Sequence, residues 1–288
     1  NTKFLIGRIA HHLQKNGWQC VVRSIEDISP GEADGLIRQA DLVGFGYPIY
    51  GSDLPHNLKL FINSLSEAKN KSSFVLCSQF KWSGDGARIC GEFIQKKGFV
   101  IKWAEHFNMP NNVCVAATSW LLRFSNDADR IKRQLAKVEV RAIKLVELIC
   151  SDKGFLRGFN SLSHFLGLFQ RAPFRLVFEK CRDDVGIDFE RCTLCGECIN
   201  SCPMKNLHFS ESKTTREDPS GTKVEALKKV RLSTDGACIL CLRCYDNCPT
   251  MAITYRGRKH ILKYGEPYRG IPKQLIAETE FLTTFDTT

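Results

Sequence analysis

Eight cysteines fall into two blocks, Cys192-Thr-Leu-Cys195-Gly-Glu-Cys198-Ile-Asn-Ser-Cys202-Pro203 and Cys238-Ile-Leu-Cys241-Leu-Arg-Cys244-Tyr-Asp-Asn-Cys248-Pro249, both reading C-x2-C-x2-C-x3-C-P. Thiolates are soft ligands, and an all-sulfur site suits either zinc or an iron–sulfur cluster. Structural zinc sites typically use two separated cysteine pairs. Here a third cysteine follows each pair at the same interval, and the C-P ending repeats, which favours the cluster.

Three thiolates spaced two residues apart can wrap one loop around three irons of a cube. The fourth leaves that loop, because the following proline has no N–H and holds Cys202 or Cys248 extended. In chains with two such blocks the fourth cysteine serves the other cluster. The expected ligand sets are therefore Cys192, Cys195, Cys198 and Cys248 for one [4Fe–4S] cluster, and Cys238, Cys241, Cys244 and Cys202 for the second. This stretch closely resembles the two-cluster bacterial ferredoxins, including the continuations Cys-Pro-Met204 and Cys-Pro-Thr250-Met-Ala-Ile253. It departs from them in the 35 residues between the blocks, whose middle, Ser210–Thr222, is polar and rich in turn formers. That insertion, placed at about 206–232, reads as an exposed loop, with partner docking as the alternative.

Elements that position these residues are less sharply marked. The six other cysteines, Cys20, Cys77, Cys90, Cys114, Cys150 and Cys181, are scattered in mostly apolar surroundings and read as small hydrophobes. Up to Cys150 the chain alternates helical and strand periods. Helices are expected at Thr2–Lys15, Asp53–Lys69, Gly84–Lys97 and Asp127–Ile149, and strands at Gln19–Ser24, Asp41–Gly46, Ser72–Ser78 and Phe99–Ala104. Such alternation implies a doubly wound parallel sheet with ligands at the carboxyl ends of its strands. The sequence opens on Asn1, with helix signals from Thr2, so a first strand is expected to be missing.

Two loops follow strand ends: Tyr47-Pro48-Ile49-Tyr50-Gly51, and Ser78 to Gly86 with Gly84 and Asp85 near its end. An aromatic side chain and glycines there would supply the flat wall and close backbone approach that a flavin ring needs. This half resembles the flavodoxins, with Tyr50 placed against the isoalloxazine of FMN, and Asn1-Thr2 as what is left of the phosphate loop. Ordinary loop packing of Tyr47 and Tyr50 is the alternative. Taken whole, the chain resembles the EFR1-type flavodoxin–ferredoxin fusion proteins of anaerobic bacteria and archaea.

The resulting fold class is an α/β flavodoxin-like domain at 1–150, a helical, aromatic and basic connector at 151–180, an α+β two-cluster ferredoxin domain at 181–260, and a C-terminal extension at 261–288. In the connector, Phe155, Phe159, Phe165, Phe169, Phe174 and Phe178 accompany Arg157, Arg171 and Arg175. They read as packing between domains, with a membrane surface or an acidic partner as alternatives, and Arg171-Ala-Pro173 is expected to break the helix.

Lysine and arginine number 41 against 31 acidic residues, a formal charge of +10. No focused basic patch or nucleic-acid-binding motif accompanies it, so nucleic acid is not an expected partner. The charge suits acidic redox partner proteins. No apolar run approaches the roughly 18 residues of a membrane span, and no secretory leader is seen, so a reducing cytoplasm is expected. Three functions follow from the resemblance: an electron carrier moving single electrons through two clusters and FMN; a flavin-dependent reductase of a small molecule, with Tyr47, Tyr50, Asp85 and His106 as proton-donor candidates; and a ferredoxin with a cofactor-free docking domain. No strong catalytic constellation favours the enzyme.

Overall fold

The computed structural model describes residues 1–111, 128–212, 227–232, 238–257 and 271. The expected insertion lies largely outside these residues, as does the 261–288 extension except Ile271. Two compact units divide the chain, the boundary falling inside one helix between Val177 and Phe178.

In the first unit the elements run α1 (Thr2–Lys15), α2 (Pro30–Gln39), β1 (Val43–Pro48), α3 (His56–Ser64), β2 (Lys71–Gln79), α4 (Gly86–Gln95), β3 (Phe99–Asn108), α5 (Ala128–Cys150), β4 (Phe155–Leu156) and α6 (Ser161–Asp183). The strands form one sheet in the order β1-β2-β3-β4, parallel throughout. On one face Phe45, Val75, Cys77 and Ile101 bury themselves with Leu58 and Ile62 of α3 and Cys90 and Ile94 of α4. Phe74 and Leu76, also buried, alternate with Val75 and Cys77 along β2 and so point to the opposite face. There α1 and α5 pack on one another and on the strands, and α1 comes so close that a Cβ on Gly46 would lie 1.7 Å from Ile6 Cδ1. Helices α1 and α5 are further tied through Glu139, which accepts from Arg8 Nε at 2.8 Å and pairs with His12 at 2.7 Å.

Several expectations are corrected. Gln19–Ser24 is not a strand. Strand geometry persists only when backbone groups pair with a neighbour, and β1 is the edge strand, with no strand beyond it among the described residues. Helix α2 was not expected, although Ser29 and Glu32 form a reciprocal capping box and Pro30 occupies the first turn. The Arg171-Ala-Pro173 stretch does not end the helix: α6 runs through Pro173. Tertiary bonds on both sides of the proline hold it, since Arg171 Nη1 donates to Ser52 O at 2.8 Å and Arg175 Nε to Asp53 at 2.8 Å. Among the connector phenylalanines, Phe159 packs against the α3–α4 core, whereas Phe165 and Phe169 are exposed.

The second unit repeats one motif twice. Its first copy is β5 (Val185–Ile187), a cysteine loop, α7 (Glu197–Asn200) and β6 (Leu207–Ser212); its second is β7 (Leu227–Leu232), a cysteine loop, α8 (Arg243–Asn247) and β8 (Ile253–Tyr255). The copies interlock, because β5 pairs antiparallel with β8 and β6 pairs antiparallel with β7. Ile239, Tyr245, Ala252, Ile253 and Val185 form its interior.

Candidate metal centre

Both cysteine loops bend by the same backbone device. Left-handed φ occurs at Leu194 and Leu240, two residues after each first cysteine, and at Gly196 and Leu242, just after each second cysteine. It recurs at Lys205 and Met251, three residues beyond each fourth cysteine. The turns after Cys202 and Cys248 also match: Lys205 N–H bonds to Cys202 O at 3.1 Å, and Met251 N–H to Cys248 O at 3.2 Å.

This folding brings cysteines from distant blocks together. Cys192, Cys195 and Cys198 line one cavity with Cys248, which the β5–β8 pairing brings across, and Ile187 and Ile253 give it an apolar wall. In the other block Cys241 and Cys244 feel the nearby charges of Cys238 and Cys202. Among the described residues no three His, Cys, Asp or Glu side chains converge tightly enough to hold a single ion; four sulfurs ring a cavity instead.

Backbone N–H groups point at the sulfurs. Ala252 N–H donates to Cys248 Sγ at 3.1 Å, Asn206 N–H to Cys202 Sγ at 3.2 Å, and Leu240 N–H to Cys238 Sγ at 3.4 Å. These bonds favour the thiolate, and at Cys248 they outweigh burial, so its pKa falls below the ordinary value. At Cys244 burial, then the neighbouring thiolates, pushes the pKa up, and Cys241 is pushed up to about 11 mainly by burial. Cys198 is raised by burial and by Cys248 and Cys192. Four cysteine sulfurs lining one half-apolar cavity are a soft, all-sulfur donor set, which fits a cluster chemically.

The candidate flavin residues also come together, at the carboxyl ends of β1 and β2, but their bonding groups are taken. Tyr47 is buried inward and donates its hydroxyl to Gly86 O at 2.6 Å. Ile49 N–H, after Pro48, bonds to Ser78 O at 2.9 Å, and Tyr50 bridges to Asp53. Thr2 Oγ1 and Ser78 Oγ share a hydrogen bond of 2.7 Å, and Asn1 donates to Pro110 O. Asp85 is fully buried between His164 Nδ1 at 2.8 Å and Arg171 Nη1 at 2.9 Å. Gly51 faces Phe174 and Gly84 faces Gly167. These residues do not fit a flavin: their polar groups are paired within the protein, and helix α6 packs directly against Gly51 and Gly84. His106 is buried and accepts from Ala87 N–H at 3.1 Å; burial, with the charges of Arg157 and Arg141, lowers its pKa to about 4. It is a neutral structural acceptor there.

Of the scattered cysteines, Cys77 and Cys90 are fully buried as expected, and burial raises both thiols; Cys20 is half-buried and Cys150 exposed. Cys114 and the Cys181 side chain lie outside the described residues.

Residues 190–253 match the model of the 4Fe-4S dicluster domain. Over 74 residues the chain is 34% identical to a ferredoxin of Methanothermococcus thermolithotrophicus, an alignment covering 25% of this chain and 97% of that protein. The chain therefore belongs to the 4Fe-4S dicluster ferredoxin family. Among solved structures, the metal-soaked Flv1 flavodiiron core from Synechocystis sp. PCC6803 aligns with 53% of this chain and 34% of its own, at 16% identity and a TM-score of 0.35. No described helix is long and apolar enough to cross a membrane.

Proposed function

We propose that this protein is an electron carrier holding two [4Fe–4S] clusters, one on Cys192, Cys195, Cys198 and Cys248 and the other on Cys238, Cys241, Cys244 and Cys202. The observation that carries this reading is the single cavity walled by three cysteines of one block and the last cysteine of the other. When bound, such clusters supply one-electron chemistry. The chain's part is to hold and tune them. The N–H groups of Ala252, Asn206 and Leu240 lower the electron density on their sulfurs, which makes reduction easier. Ile187, Ile253 and Ala252 give the first site an apolar wall, and desolvation along it has the opposite effect, disfavouring the more negative reduced state.

The α/β unit in front is read as a flavodoxin-like domain, making the chain a fusion of the EFR1 type, but as one without flavin. Buried Tyr47, paired Asp85 and the helix over Gly51 and Gly84 support that choice. The unit then serves docking, and the net charge of +10 favours acidic redox partners. Eight reduced thiols suit the cytoplasm.

Iron, acid-labile sulfide and flavin measured on anaerobically purified chain test the reading. About eight irons and eight sulfides per chain, with no flavin, are expected. Stoichiometric zinc, or about four irons, would overturn the two-cluster assignment.

A further inference from the structure

Helix α6 is inverted relative to the usual rule of burial. Arg171, on its inner face, is 4% exposed, while Leu162, Phe165, Phe169 and Leu176 on its outer surface are 65–86% exposed. A helix that buries an arginine and leaves leucine and phenylalanine in water is held by a site built for the arginine.

Asp53 follows β1 and Asp85 follows β2, so two carboxylates stand at the strand ends where the crevice of a parallel sheet opens. Asp85 receives both terminal nitrogens of Arg171, at 2.9 and 3.2 Å, and Ser52 O takes a further bond from Nη1 at 2.8 Å. Asp53 receives Arg175 at 2.7 and 2.8 Å and Lys59 at 3.0 Å. The forked pairing with Asp85 is the geometry in which guanidinium and carboxylate match best. Glycines complete the fit. A Cβ on Gly84 would lie 2.7 Å from Gly167 N, one on Gly167 would lie 1.9 Å from Asp85 Oδ1, and one on Gly51 would lie 2.0 Å from the Phe174 ring.

We infer that the crevice at the carboxyl ends of β1 and β2 is a guanidinium-binding site whose ligands are Arg171 and Arg175 of the chain's own helix α6, and that it excludes flavin. The glycines that a flavin ring would need serve the approach of α6 instead. This inference is independent of the cluster reading, which stands or falls on iron content.

The test is hydrogen exchange by mass spectrometry on the full chain with its iron loaded, beside Arg171→Gln. Amides of residues 51–54 and 83–87 exchange slowly in the unaltered protein and at least tenfold faster in the variant, while residues 101–107 of β3 are unchanged. Equal exchange at 51–54 and 83–87 in both proteins would overturn the inference. If Arg171→Gln fails to purify, Phe174→Ala gives the same readout at 51–54. In parallel, the unaltered chain is mixed with equimolar FMN and ultrafiltered: all flavin is expected in the filtrate, and retention of about one FMN per chain would overturn the exclusion.

Discussion

Leu242 holds in the second cysteine loop the left-handed backbone that Gly196 holds in the first, at φ 57° against 78°. Each follows the second cysteine of its block, so two loops of different sequence make the same bend. In the first loop glycine adopts it without steric cost. In the second, a side chain with a Cβ is held there by the surrounding structure, a strain of about 1–2 kcal/mol.

Leu242→Gly is therefore expected to stabilise the second unit by about 0.5–1 kcal/mol, the relieved strain less the greater freedom of glycine in the unfolded chain. Gly196→Ala is expected to cost about 1 kcal/mol, and the cost is in the backbone, because an added Cβ meets only ordinary contact with Phe209 at 3.5 Å. Urea midpoints of the two variants check this; a shift of the same sign in both would refute it.

Crossed ligation makes a prediction that sequence neighbours cannot mimic. Cys198→Ser and Cys248→Ser, 50 positions apart, should remove the same paramagnetic signal from the reduced protein and each leave about four irons. Cys202→Ser should resemble Cys244→Ser instead. If Cys248→Ser matched Cys244→Ser, the ligand sets would follow the blocks and the assignment would be wrong.

His106 gives the first unit an acid-sensitive core. It titrates near 6.5 in an unfolded chain and near 4 in the fold. The unfolded state thus takes up its proton first as pH falls. Stability is complete above about pH 6.5 and declines toward pH 4, by about 3 kcal/mol in all. His106→Gln, whose side-chain oxygen is able to accept from Ala87, should show a shallower loss of far-UV circular dichroism stability between about pH 7 and pH 4.5. Equal slopes in both proteins would remove His106 as the cause.

What could be read from the sequence was whatever is written locally. Cysteines spaced two and three residues apart are a local signal, so the two repeated blocks were legible, as were β2 from its Phe74-Val75-Leu76 run and β3 from its β-branched and aromatic residues. The run Gln19–Ser24 carries Val21 and Val22, the same local signal, but it finds no paired neighbour, and Val21 stays largely exposed. Pro173 misled in the opposite direction, because a helix-breaking residue survives when Arg171 and Arg175 are anchored elsewhere. Helix α2 starts on a local signal, the capping box of Ser29 and Glu32. The filled crevice had no local signature at all. It depends on Ser52 meeting Arg171 across 119 positions and Asp85 meeting it across 86, and from sequence the same glycines fit a flavin equally well.

The most direct test of the central claim is an anaerobic spectroelectrochemical titration of the purified chain. An electron carrier with two [4Fe–4S] clusters takes up two electrons per chain reversibly at low potential, with bleaching of a broad brown absorption and no flavin bands. A colourless protein that takes up no electrons and carries stoichiometric zinc on the same sulfurs would contradict the account.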